Sequence, residues 1–321
     1  MVHSGNRGAM NIFLIIAGLA LLYAGAEGLV RGSSSLSLKL GVQPYIVGLT
    51  VVAFGTSAPE LTVSTISALK GHGDIAIGNV VGSNIFNIAL IIGFSAIIHP
   101  LVVNLNLIKK DIPIMILCSL MIVPIVIIEG IPRAFGIGLF ALFVLYILSA
   151  MLRAKKEPEK VEDLLSGAVK SPSNKWLLDI VLVIGGIGVL VAGSNLLVSG
   201  AIQLARKLNI SEALISLTII SAGTSLPELA TSVVAAFKKE SDIAVGNIVG
   251  SNIFNVLCIL GISSSISPIS IQGVDIIDSL FLIIASILLL PLAITDKRIT
   301  RAEGFLFLII YAGYIVFLWP K

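Results

Sequence analysis

The amino-acid sequence predicts an all-α integral membrane protein. Its ten transmembrane helices would form two inverted five-helix repeats, with broken helices in the middle of the bundle. Three observations predict this. Of 321 residues, 56% are hydrophobic and 12% charged, against about a quarter charged in soluble domains, and the mean hydropathy is +1.06. Ten apolar stretches follow one another, divided five and five by one charged segment. A motif pair also recurs, GTSAPE at 55–60 with GNVVGSNIFN at 78–87, then GTSLPE at 223–228 with GNIVGSNIFN at 246–255. A single offset of 168 residues aligns both motifs without a gap, pairing Glu60 with Glu228, Ser83 with Ser251 and Asn87 with Asn255. Because each half holds an odd number of spans, the second must enter the bilayer from the opposite side.

Taken in order, the polar, glycine-bearing residues 1–9 read as an N-terminal tail outside the fold, ahead of a natural start at Met10. Hydropathy then places spans near 10–40, 43–70, 73–98, 109–128 and 132–153, which form the first repeat (10–153). A linker at 154–175 follows, with the run KKEPEKVED and a Ser/Pro/Asn cluster. The second repeat (176–321) has spans near 176–208, 211–238, 241–266, 273–295 and 300–320. Residues 10–28 have the look of a secretory signal, but their internal counterpart at 178–196 argues for a retained helix. Likewise AGAEGLVRG (24–32) faces AGSNLLVSG (192–200). Spans one and six are 31 and 33 residues long, nearly 50 Å at about 1.5 Å per residue against a hydrocarbon core of about 30 Å, so they must tilt, kink or protrude. Gly25, Gly28 and Gly32 in one and Gly185, Gly186, Gly188, Gly193 and Gly200 in the other support either close helix packing or a helix that slides or bends as a gate.

The net charge of +3 is small, and nothing points to nucleic acid. Its distribution is more telling. Alternating the loops between two faces leaves Arg7, Lys70, Arg133, Arg206, Lys207 and Lys321 with the termini and puts the other fifteen of 21 basic residues opposite. That bias predicts a multi-pass cell-membrane protein with both termini outside and residues 154–175 cytoplasmic. Cys118 and Cys258 lie inside apolar spans and read as packing residues.

Charged and polar side chains at membrane depth are costly, so they mark function by default. Pro59 and Pro227 lack an N–H and clash with the carbonyls of Gly55 and Gly223, so their helices should break there. A break buried in protein offers carbonyl and hydroxyl oxygens to a desolvated cation, with Thr56, Ser57, Thr224 and Ser225 at the breaks and Glu60 and Glu228 just beyond. In span three, Gly78, Gly82 and Ser83 suggest a second interruption, and Ser83 and Asn87 share a helix face, as Ser251 and Asn255 do in span eight. The two-fold relation would gather Glu60, Asn87, Glu228 and Asn255, an oxygen-only set if both amides turn their carbonyls inward. Such a set suits hard cations such as Ca²⁺ and Na⁺, and without intramembrane His or paired Cys it argues against Zn²⁺ and Cu⁺. Asn84, Asn252, Ser64 and Ser232 read as interhelical glue, and Asp74 and Asp242 as helix caps. Glu27, with Arg31 four residues on, reads as an intrahelical ion pair or as part of an ion path.

On these residues the chain resembles the cation/calcium exchanger superfamily, specifically sodium/calcium exchangers of the prokaryotic type. The pattern G-T-S-x-P-E followed by G-S-N-x-x-N stands in both halves, and the resemblance covers all ten spans and the linker. It implies a secondary antiporter, not an enzyme, that exchanges Na⁺ for Ca²⁺ and normally extrudes Ca²⁺. No cofactor or obligate protein partner is expected, only the two ions and membrane lipid. It further implies a Ca²⁺ site lined by Glu60 and Glu228 with backbone oxygens near Thr56 and Thr224, and flanking Na⁺ sites at Ala53, Ser57, Ser83, Ser221, Ser225 and Ser251. Asn87 and Asn255 complete the centre, and spans one and six form the gate. Potassium-dependent members carry Asp where Asn255 stands, which puts K⁺ transport in doubt. The linker is too short for the regulatory Ca²⁺-binding domains that animal members insert there. Proton/Ca²⁺ exchange and a cation channel with an acidic selectivity ring are the competing readings.

Overall fold

The computed structural model describes residues 3–156, 175–208, 221–271 and 276–318. Spans one and six are single unbroken helices, His3–Leu40 and Trp176–Lys207. The first helix therefore begins seven residues before Met10 and takes in most of the expected tail, while the linker core at 157–174 lies outside the described residues. Span two is two helices, Pro44–Thr56 and Ala58–Leu69, bent by 48°. Spans three to five are Gly73–Ile98, Leu107–Ile127 and Arg133–Ala154. In span seven the described part is Ser221–Thr224 with Leu226–Phe237, and residues 211–220 of the expected span lie outside it. Spans eight to ten are Ser241–Ile266, Ile276–Lys297 and Arg301–Leu318.

Two short ribbons tie the loops. Leu101 pairs with Ile299, and Ile131 with Ile269. The 168-residue offset carries Leu101 to Ile269 and Ile131 to Ile299, so one ribbon maps onto the other. Each ribbon joins two loops that a ten-span path places on one face. The same operation carries the close approach of Gly93 to Gly304 onto that of Gly261 to Gly136. The inverted repeat is thus built into the packing as well as the sequence.

Spans three and eight form the centre. All of the most apolar stretch of span eight and 72% of that of span three are buried, against 17–39% in spans one, four, five, six, nine and ten. These two central helices are also the ones that carry the duplicated Gly/Ser/Asn motif. Polar residues placed there have no lipid to face, only one another.

Spans one and six run antiparallel along a glycine seam with a seven-residue period. Gly18 meets Gly193, Gly25 meets Gly186, Gly32 meets Asp179 and Gly200 meets Asn11, backbone against backbone. A Cβ at Gly25 would lie 2.8 Å from the Gly186 carbonyl oxygen, and one at Gly186 would lie 2.8 Å from that of Gly25. At Gly185 and Gly188 a Cβ meets nothing within 4 Å. Of the two roles open to the glycines, the structure gives close packing to the seam positions, and each helix runs without a break. Valine at Gly25 or Gly186 is expected to destabilise by about 1–3 kcal/mol, the usual cost of overpacking. Thermal melting of the purified variants, with Gly185→Val as the unaffected control, checks this.

Glu27 takes Lys238 as its ion-pair partner at 2.5 Å, in place of the expected Arg31. Seven residues further along span one, Ser34 donates to Glu240 at 3.1 Å. Burial holds the Glu240 carboxyl above its usual range, while the Ser34 hydrogen bond pulls it back down. These two contacts clasp span one to the turn between spans seven and eight. The repeat partners of Glu27 and Ser34 are Asn195 and Ile202, which cannot form the same ion pair or hydrogen bond, so the clasp belongs to one face only.

Candidate functional site

The helix breaks fall where the prolines require. Pro59 and Pro227 are each the second residue of a half-helix, and the residue preceding that half-helix leaves the regular helical geometry, Ser57 at φ −84°, ψ 8° and Ser225 at φ −89°, ψ 7°. A proline can stand there because first-turn N–H groups have no helical partner. Of the two carbonyls freed by the prolines, that of Gly223 accepts the Ser194 hydroxyl at 2.6 Å. Glu60 and Glu228 lie in the first turn beyond each break, fully buried, at the end of a helix that favours negative charge.

Each half braces the glutamate of the other. Ser57 donates to Glu228 Oε1 at 2.7 Å, and Ser225 to Glu60 Oε1 at 3.0 Å. Thr56 donates to Asn247 Oδ1 at 3.1 Å, and Thr224 to Asn79 Oδ1 at 3.3 Å. Asn87 donates to Asn252 Oδ1 at 3.1 Å, and Asn255 to Asn84 Oδ1 at 2.9 Å. Every pair is carried onto its mate by the 168-residue offset. The structure therefore joins Glu60, Glu228, Ser57 and Ser225 across the repeat interface, with Thr56 and Thr224 beside them, and bonds Asn87 and Asn255 across the same interface to Asn252 and Asn84.

The remaining expected residues are placed less symmetrically. Ser251 Oγ lies 3.0 Å from Ser57 Oγ, whose one proton goes to Glu228, whereas the hydroxyl of its mate Ser83 is buried without a hydrogen-bond partner among the described residues. Ala53 is buried one turn before Ser57, its carbonyl accepting the Ser57 N–H at 3.0 Å. Ser221 opens the helix Ser221–Thr224, and its side chain lies outside the described residues. Instead of a break at Gly78–Ser83, span three runs as regular helix over Gly73–Ile85, and span eight over Ser241–Phe254. The interruption comes later, as wide π-helical turns at Phe86–Ile92 and Asn255–Ile259. Asn87 and Asn255 sit at the start of these turns, a geometry that recurs at functional sites.

Sequence reasoning passed over Asn79 and Asn247, which hold Thr224 and Thr56 and in turn donate to Ser64 and Ser232, both at 3.0 Å. Their signal was present, since each is the second residue of a duplicated motif. Asp74 and Asp242 fall inside the first turns of spans three and eight, but the capping positions are held by His72 and Glu240, so neither aspartate is the helix cap that the sequence suggested. Both cysteines are buried and free.

Besides the hydroxyls of Ser33, Ser83, Ser95, Thr231 and Ser279, the buried side-chain oxygens without a hydrogen-bond partner among the described residues include four acceptors of the duplicated motifs, Glu60 Oε2, Glu228 Oε2, Asn87 Oδ1 and Asn255 Oδ1. Buried acceptors left this way are costly and rare. All four are hard oxygen donors, and two carry the formal charge, which is the donor set that Ca²⁺ and Na⁺ prefer.

Inverted halves with broken helices meeting over a buried oxygen cluster define a membrane protein of the inverted-repeat transporter class. Comparison with known proteins agrees: the family model described as "Sodium/calcium exchanger protein" matches residues 10–152 and 178–319. The sodium/calcium exchanger MaX1 of Methanosarcina acetivorans is 30% identical over 345 residues, covering 97% of this chain and 99% of MaX1. The inner membrane protein YrbG of Escherichia coli is 37% identical over 258 residues, 79% of each chain. A solved structure of the sodium-calcium exchanger NCX_Mj, soaked with Na⁺ and Sr²⁺, superposes with a TM-score of 0.82 at 31% identity, covering 96% of this chain and 98% of that one. The chain belongs to the sodium/calcium exchanger family.

Proposed function

We propose that the protein is a secondary antiporter that exchanges Na⁺ for Ca²⁺ by alternating access, in the direction of Ca²⁺ extrusion. The observation that carries this reading is the set of four unpartnered oxygens on Glu60, Glu228, Asn87 and Asn255. Their two carboxylates supply a formal charge of −2, which one Ca²⁺ neutralises. Backbone oxygens near Thr56 and Thr224 add to the central site. Ala53, Ser57, Ser83, Ser221, Ser225 and Ser251 would serve Na⁺ on either side of it. Occupancy by either ion set offsets the cost of the buried charge, so the occupied forms are the ones able to change conformation, and the two gradients become linked. In this reading both termini lie outside, residues 154–175 lie in the cytoplasm, and transport needs only the ions and the lipid.

The test is Ca²⁺ uptake into proteoliposomes. Uptake is expected only when Na⁺ leaves in the opposite direction, and it should be unchanged when K⁺ is replaced by choline, because Asn255 adds no third carboxylate to balance. Uptake driven by a proton gradient alone would overturn Na⁺ coupling in favour of proton exchange. Uptake indifferent to every counter-gradient would indicate a channel.

A further inference from the structure

An asparagine can serve a cation only through its carbonyl, since the NH₂ end of the same amide would point two donors at a positive charge. Asn87 and Asn255 must therefore be held in one of two nearly isosteric orientations. The second asparagine of each motif does this across the repeat interface. Asn252 Oδ1 accepts from Asn87 Nδ2 at 3.1 Å, and Asn84 Oδ1 accepts from Asn255 Nδ2 at 2.9 Å, leaving Asn87 Oδ1 and Asn255 Oδ1 as the unpartnered ends. Both holders are themselves fixed. Asn84 Nδ2 donates to the backbone carbonyl of Asn252 at 3.3 Å. That carbonyl can only accept, so Asn84 cannot turn over without setting two acceptors face to face. Asn252 Nδ2 lies 3.5 Å from Met115 Sδ, a weak acceptor that favours the same orientation, since a flipped amide would set its oxygen against the sulfur.

We infer that Asn84 and Asn252 are positioning residues that set the polarity of the Asn255 and Asn87 amides, so that both carbonyls face the cation. They touch the ligating amides but are not ligands. The inference rests on the cation site proposed above and assigns a selective role to residues whose sequence reading was interhelical glue. Orientation matters only where the group at 87 or 255 has two unlike ends. A carboxylate has an oxygen at both ends, so Asp at 87 should make Asn252 dispensable.

The experiment is a double-mutant cycle read by Ca²⁺ binding to purified protein in Na⁺-free detergent solution. Asn252→Leu is expected to weaken Ca²⁺ binding by about tenfold or more, the scale of a bond to a cation lost or reversed. In the Asn87→Asp background the same change is expected to cost less than about twofold, an almost complete coupling between the two positions. The repeat-related cycle, Asn84→Leu with Asn255→Asp, should give the same pattern and serves if Asn252→Leu does not fold. Equal losses in both backgrounds, or no loss in either, would overturn the inference. Glu60→Gln measured alongside separates the two levels. If Glu60→Gln abolishes binding while the cycle shows no coupling, only the positioning role falls; if Glu60→Gln leaves binding intact, the site itself is wrong.

Discussion

Glu60→Gln and Glu228→Gln are each expected to stop Na⁺-driven Ca²⁺ flux and to weaken Ca²⁺ binding by about a hundredfold or more. The estimate follows from the roughly 3–5 kcal/mol lost when one partner of a buried charge pair is removed. Either change keeps the shape of the side chain and an oxygen able to accept from Ser225 or Ser57. It halves the formal charge and can bring an NH₂ group to the place of an unpartnered carboxylate oxygen. Loss by misfolding gives a different result. In ion-free buffer the Gln variants should melt at or above the wild-type temperature, because an uncompensated buried carboxylate is itself destabilising. Added Ca²⁺ should raise the wild-type melting temperature and leave the variants unmoved, since only a ligand bound to the folded state stabilises it. Wild-type flux through either variant would remove both glutamates from the proposed transport site.

Joining span one to the turn after span seven is expected to abolish exchange while sparing ion binding. Ser34 Oγ and Glu240 Oε1 already touch at 3.1 Å, so a Ser34→Cys/Glu240→Cys pair can be bridged by a short thiol-reactive reagent, the native cysteines being buried. Through the glycine seam the bridge also restrains span six. If alternating access needs the paired helices to leave the central bundle on this face, flux should fall to that of protein-free vesicles. Ca²⁺ binding should stay within about twofold, because no ligand has been touched. Each single variant treated with the same reagent is the control. Full exchange by a verified bridged sample would show that span one does not move against span seven during the cycle.

Much of the fold was legible in the sequence because its governing signals are local. Hydrophobic length sets a span, and a proline inside an apolar run removes a hydrogen bond wherever it stands, which is why the helix breaks at Ser57 and Ser225 fall where Pro59 and Pro227 place them. The 168-residue offset carried enough information to pair the halves, and oddness of the span count inverted them. The reading failed where local rules are ambiguous. Gly78 and Gly82 looked like a break, but at both a Cβ would meet nothing within 4 Å and the helix runs on; a glycine permits a bend without requiring one. Glu27 had a partner one turn away in sequence and a nearer one, Lys238, brought up by packing.

The sequence by itself determined which residue types stand at membrane depth: one carboxylate, its flanking hydroxyls and a pair of amides, each set present twice. It could not determine which end of an amide faces the centre, nor that the serine of one half binds the glutamate of the other. Those choices depend on contacts between residues more than 160 positions apart, as in the Ser57–Glu228, Ser225–Glu60, Asn87–Asn252 and Asn255–Asn84 bonds. No periodicity along a single helix encodes them. They are settled only when two inverted halves close on each other and the amide donors of Asn87 and Asn255 find acceptors across the interface, which leaves their carbonyl oxygens, with one oxygen of each glutamate, over for a cation.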